Sequence, residues 1–149
     1  MQLLSQITTR IRLYSSECNQ TALVLEAIKQ TKTNIQVFAA IYVVDKDEVG
    51  YQRQKTALRD ALQTYGRDNI HGIIVGNDFM LKYLVEQQAT DTNGTVGLAA
   101  SAILKAKIAD IRQMITRMNI NILVGTANAG SYFNNDLLGA VDVGCAFVS

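Results

Sequence analysis

Proline is absent from the chain, although average usage of about 5% would supply several, and no proline-rich linker divides it. Cysteine occurs only twice, too few for a disulfide scaffold, and a single histidine, His71, cannot build a zinc site. No apolar run approaches the ~20 residues that a bilayer crossing requires. Charge of neither sign dominates: 14 basic residues stand against 13 acidic ones, a net charge of +1. That balance offers no electrostatic footprint for nucleic acid or an anionic membrane, so neither is an expected partner. The start, Met1-Gln2-Leu3-Leu4-Ser5, lacks the basic and apolar regions of a secretory leader. At 149 residues the chain is also too short for a complete (β/α)8 barrel, which typically takes about 250.

What is present describes a folded domain. Apolar residues make up 48% and charged residues 18%, which excludes a disordered chain. A single domain over residues 1–149 would bury roughly 70% of its unfolded surface and needs no covalent staple. Two acceptor sequons, Asn19-Gln20-Thr21 and Asn93-Gly94-Thr95, are either chance tripeptides or traces of a secreted ancestry.

The pattern alternates strand and helix. Arg10 to Tyr14 reads as a short strand, followed by a polar turn and a helix from Gln20 to Thr31. Ile35 to Val44 is almost continuously apolar, as expected of a strand covered on both faces in a parallel sheet. Helical period returns from Tyr51 to Tyr65, with Gly66 as its terminator. Ile70 to Val75 is a third strand, and Val96, Ala100, Ile103, Leu104, Ile108, Ile111 and Ile115 form one stripe of a helix from Thr95 to Met118. Asn121 to Gly125 reads as a fourth strand with a small-residue loop, Thr126 to Gly130, behind it. A short helix over Asn135 to Val141 and a fifth strand over Gly144 to Val148 complete the series. The fold class is α/β: a parallel sheet of five strands joined by four crossover helices.

In such sheets function gathers beyond the carboxyl ends of the strands. Five segments qualify: Tyr14 to Asn19, Asp45 to Asp47, Gly76 to Phe79, Thr126 to Tyr132, and Val148-Ser149. Asn77 and Asp78 stand out as polar residues directly after an apolar strand, where Asp78 is also a natural helix cap. Competing motifs are missing: no strand leads into GxGxxG or GxxxxGK[ST], and no GxSxG elbow is present. Gly125 to Gly130 (GTANAG) is at most a weak anion nest. His71 opens a strand and is expected to be structural, Cys145 to pack as a small apolar side chain, and Cys18 and Cys145 to remain unbridged. Tyr14, Tyr42 and Tyr132 suit stacking on a sugar ring or ordinary packing.

These segments together resemble glycoside hydrolase family 17, the fungal β-1,3-glucanases and glucanosyltransferases. Arg10-Ile11-Arg12-Leu13-Tyr14-Ser15-Ser16-Glu17-Cys18-Asn19-Gln20 is similar to the family's second strand and following turn, and Ala39-Ala40-Ile41-Tyr42 to its third strand. Val75-Gly76-Asn77-Asp78 meets the hallmark Val-Gly-Asn-Glu, whose glutamate is the general acid/base. Val124 to Phe133 (VGTANAGSYF) is similar to the fifth-strand region. The resemblance implies part of a TIM barrel, strands two to six, and a secreted or cell-wall role in carbohydrate metabolism. It implies β-glucan or another carbohydrate as partner, and neither metal nor cofactor. Asp78 takes the catalytic acid/base position, with Tyr14, Asn77, Asn128, Tyr42 and Tyr132 as substrate-binding candidates.

The departures from the family pattern bear on activity. The nucleophilic glutamate that follows the seventh strand has no counterpart, Ser149 aligns with the histidine ending the sixth strand, and Asp78 is one methylene shorter than glutamate. Retaining glycosidases need two carboxyl groups about 5–5.5 Å apart, and a displacement on the order of 1 Å can cost about 100-fold. The expectation is a chain that retains a glucan groove without the family's turnover. Glu17, Asp45 and Asp47 share the same face and are candidates for a substitute, inverting pair, which needs roughly 6.5–9.5 Å. Two free sheet edges, at Arg10–Tyr14 and Gly144–Val148, favour a homodimer. Two other readings stand beside this one: an active hydrolase or transglycosylase completed by oligomerisation or further sequence, and a small-molecule binder built on an open α/β sheet.

Overall fold

A computed structural model describes residues 1–147; the expectations that fall on Val148 and Ser149 lie outside the described residues. After a short helix α1 (Gln2–Ser5), strands and helices alternate as β1 (Arg10–Arg12), α2 (Gln20–Thr31), β2 (Gln36–Ile41), α3 (Glu48–Tyr65) and β3 (Ile70–Asn77). Two helices follow, α4 (Phe79–Glu86) and α5 (Thr95–Arg117), then β4 (Leu123–Ala129), α6 (Asn135–Leu138) and β5 (Val143–Phe147). The five strands lie side by side in chain order and every neighbouring pair is parallel.

The sheet is curled. At about 4.8 Å per strand, the outer strands of a flat five-stranded sheet stand roughly 19 Å apart, with side chains pointing the same way. Here the guanidinium of Arg12 on β1 lies 4.4 Å from the ring centroid of Phe147 on β5, a contact that only a strongly concave sheet permits. The convex face carries Val37, Ala39, Ile41, Ile73, Val75 and Val124 and packs under Leu58, Leu62, Leu104, Ile108 and Ile111 of the helices. The concave face carries Ala40, Ile74 and Ala127, flanked by Phe38, Val143, Cys145 and Phe147. Because both faces are apolar, β2 reads as an unbroken hydrophobic run. Small residues permit the curl: a Cβ on Gly125 would stand 1.7 Å from the Val143 carbonyl oxygen.

Several boundaries differ from the sequence reading, each for a tertiary reason. β2 ends at Ile41 rather than Val44 because the Gln54 side chain takes over Tyr42. Its Oε1 accepts from the Tyr42 amide at 2.8 Å and its Nε2 donates to the Tyr42 carbonyl at 2.9 Å. β4 runs on to Ala129, so Thr126 to Ala129 is strand, not loop, and GTANAG forms no anion nest. Helix α4 has no counterpart in the periodicity, which makes the β3–β4 crossover a pair of helices. Only Phe79, Met80 and Leu84 of its eight residues are buried, too short a stripe to register. His71 packs edge-on against Phe38, with ring centroids 4.9 Å apart, a structural place at the end of the sheet away from the candidate site. Both cysteines are free.

Candidate functional site

The site begins with an irregularity in β3. From Ile74 to Asn77 the chain advances three residues while its partner β4 advances only from Gly125 to Ala127. One extra residue reverses which face the following side chains meet. Strict alternation from the concave-facing Ile74 would send Asn77 into the helices; the bulge returns it to the concave side. Gly76 makes this possible at φ +80°, in the left-handed region, where a Cβ would also sit 2.7 Å from Leu104 Cδ1.

Asn77 is buried and both ends of its carboxamide are used. Its Oδ1 accepts from Arg12 Nη1 at 2.9 Å and its Nδ2 donates to the Tyr14 carbonyl at 2.7 Å. Arg12 is thereby a hub: besides Phe147, its guanidinium lies 4.5 Å from the centroid of the Tyr14 ring. Sequence reasoning passed over Arg12. The signal was there, since Arg10 and Arg12 alternate with Ile11 and Leu13, which puts two cations on one face of an otherwise apolar strand.

Asp78 follows in a left-handed conformation, φ 54° and ψ 29°. Its amide extends the ladder to the Ala127 carbonyl at 2.9 Å, and its carbonyl accepts from Lys82 at 3.1 Å to open α4. Although it occupies the cap position, its side chain makes no capping hydrogen bond; Oδ1 instead accepts from the Ala129 amide at 3.1 Å, across the strand end. The carboxylate therefore stands half-buried at the rim, anchored through one oxygen.

The other predicted residues separate. Asn128 points to the convex side, fully buried, where its Oδ1 accepts from the Met80 amide at 3.2 Å; it ties β4 to α4 and does not face the concave side with Asn77. Tyr42, directly after β2, faces α4, where Lys82 bonds its hydroxyl and lies 4.3 Å from its ring centroid. These two line a cleft of about 160 Å³ with Phe79 and Tyr83. Tyr132, half-buried in the 3-10 turn Gly130–Tyr132, packs against the main core. Tyr14 alone among the tyrosines proposed for stacking is largely exposed, at 62%.

Two of the three alternative carboxylates are committed elsewhere. Glu17 is gripped by both Nε (3.0 Å) and Nη2 (2.6 Å) of Arg53, and that hydrogen bonding holds its carboxyl below the usual range. Asp47 caps α3 by accepting from the Gly50 amide at 2.9 Å, and Asp45 pairs loosely with Lys46 at 3.8 Å. Among the described residues, no group of histidine, cysteine, aspartate or glutamate side chains is arranged to hold a metal ion. Among the same residues, no helix is long and apolar enough to cross a membrane.

A curled parallel sheet with helices outside and an acid on the turn after its middle strand has the architecture of half of a (β/α)8 barrel. Comparison with known proteins specifies the family. The BtgE/BtgC glycoside hydrolase domain matches residues 1–148, and the chain belongs to that family. It is 30% identical over 142 residues to the probable glucan endo-1,3-beta-glucosidase btgC of Aspergillus terreus, covering 94% of this chain and 20% of that protein. It is likewise 30% identical over 144 residues to the putative enzyme of the same name from Aspergillus niger, covering 95% and 19%. The chain thus spans about a fifth of the length of these curated relatives. Among solved structures, the glycoside hydrolase family 17 β-1,3-glucanosyltransferase of Rhizomucor miehei matches with a TM-score of 0.69 at 20% identity, covering 96% of this chain and 47% of that one. An active-site mutant of that transferase in complex with laminaritriose matches at 0.70. The expected partial barrel is the observed fold.

Proposed function

We propose that this chain is a β-1,3-glucan-binding half-barrel, with Asp78 in the acid/base position, that does not turn the polymer over by itself. The observation that carries this reading is the placement of Asp78. It stands on the rim turn after β3, next to Asn77 and beside the strand end that presents Tyr14, while Glu17 and Asp47 are held by Arg53 and Gly50. A rim carboxylate accepts hydrogen bonds from sugar hydroxyls, but a retaining site needs a second carboxyl about 5–5.5 Å away. Support for a glucan comes from the family and from the names of its relatives. The test is calorimetry with laminaritriose and laminarin beside an assay for new reducing ends. Binding without turnover, weakened several-fold in Asp78→Asn, is the expected result; no heat with either glucan overturns the reading.

A second reading keeps the enzyme: an active β-1,3-glucanase or transglycosylase whose remaining strands come from further sequence or from a second copy. It is favoured by the match to only 47% of the transferase chain and by the outer edges of β1 and β5, each paired on one side only among the described residues. Unpaired strand edges are templates for association. Turnover that rises with protein concentration, and disappears in Asp78→Asn, would support a homodimer of this kind. Light scattering that gives 16.3 kDa at every concentration would exclude it.

A further inference from the structure

We propose that Arg12 is the positioning residue of the groove: its guanidinium holds the Tyr14 ring as the platform on which a glucose unit stacks. The inference rests on the glucan-binding reading and assigns a role to a residue for which the family resemblance implied none. The contacts form a closed circuit. Arg12 lies 4.5 Å from the Tyr14 ring centroid and donates to Asn77 Oδ1 at 2.9 Å, and Asn77 returns a hydrogen bond to the Tyr14 carbonyl at 2.7 Å. Phe147 on β5 faces the guanidinium at 4.4 Å, so the cation is held between that ring and the Tyr14 ring two residues beyond β1. Main chain and ring of Tyr14 are thus each fixed, yet the residue keeps 62% of its surface exposed.

That combination is what a carbohydrate platform requires. A β-linked glucose unit has equatorial hydroxyls and flat C–H faces, and it gains from an aromatic ring whose orientation costs nothing to set on binding. The choice of arginine follows from geometry, because a planar guanidinium can stack on rings while donating in its own plane, and a lysine ammonium cannot do both. Asn77 immediately precedes Asp78 and carries the same restraint to the acid's backbone, so one cation aligns platform and acid.

The test is a double-mutant cycle on laminaritriose affinity, measured with the full chain. Arg12→Lys is expected to weaken binding roughly tenfold, about the worth of one aromatic–cation contact, with a lowered thermal midpoint but a chain still folded at the temperature of the binding measurement. Tyr14→Phe should bind like the parent and Tyr14→Ala should lose as much as Arg12→Lys. The double variant should be no weaker than Tyr14→Ala alone, because Arg12 acts through that ring. Additive losses, or unchanged affinity in Arg12→Lys, overturn the inference and leave glucan binding standing; a parent chain that binds no glucan ends both. If Arg12→Lys fails to fold, the Arg12 Nε–H resonance of the parent decides. Ring currents place it upfield, and it should move when laminaritriose is titrated in; a stationary resonance overturns the proposal.

Discussion

The Asn128 side chain on β4 accepts the Met80 amide in the first turn of α4 at 3.2 Å. Capping of this helix is therefore delegated to a neighbouring strand, and the residue in the cap position, Asp78, is released to reach the Ala129 amide instead. An acid that capped its own helix would have its carboxylate folded back on the turn. The exchange of roles is what leaves Asp78 at the rim.

Asn128→Ala should accordingly destabilise the fold without touching the concave-side contacts of Arg12, Tyr14 and Asn77. It strands the Met80 amide where the side chain is completely buried, a loss of about 1–3 kcal/mol. The check is urea denaturation, with a lower midpoint and an unchanged slope. A midpoint equal to the parent's would show that water or local repacking replaces the cap.

Gly76→Ala tests the bulge. A non-glycine residue in the left-handed region costs roughly 1–2 kcal/mol, and here its Cβ would also press on Leu104 Cδ1 at 2.7 Å. Relief by flattening the bulge would turn Asn77 toward the helices and break its bond to Arg12. Loss of stability in denaturation together with loss of glucan affinity is the expected pair of results. Full stability with a retained Arg12–Asn77 contact would show that the bulge does not depend on glycine.

Acid should unfold the chain in a definite window. Between α3 and α5, Asp110 accepts from Lys55 Nζ and from the Tyr51 hydroxyl, each at 2.7 Å. Burial pushes the Asp110 carboxyl up, but Lys55 and Tyr51 outweigh it and hold the group below its ordinary value. Asp142 is lowered in the same way, by the Val124 amide first and then Arg112. A folded-state value below the unfolded one, near 3.9 for aspartate, means the stabilisation is complete above about pH 4 and is lost as pH falls through the folded value. The thermal midpoint should be level from neutral pH to about pH 5 and drop below about pH 4. Asp110→Asn should lower the plateau and shorten the drop; an acid limb unchanged by that substitution would remove Asp110 from the account. Tyr51, whose phenol is pushed up by burial and by Asp110, stays protonated throughout this window.

Much of the fold was legible because it follows from local pattern. The stripe from Val96 to Ile115 became α5, and the two-sided apolar run from Ile35 became β2. What failed was local pattern set by distant partners. Thr126-Ala127-Asn128-Ala129 has the small polar character of a loop, yet it is strand because β3 and β5 hydrogen-bond it from both sides. The site was legible in part: Val75-Gly76-Asn77-Asp78 located the rim, whereas Asn128 stood equally near it in sequence and belongs to the other face.

From its sequence alone this chain is determined to be α/β with a parallel sheet of five strands, with an aspartate after its third strand. Those properties depend on hydrophobic period, length and residue identity, all of which are local or additive. Tertiary structure alone decided which way each rim residue faces. A single extra residue at Gly76 inverts the alternation for everything beyond it, and the curl of the sheet brings Arg12 and Phe147, 135 positions apart by numbering, into contact at 4.4 Å. Both effects arise from the register and curvature of paired strands, which have no counterpart in any one segment read by itself.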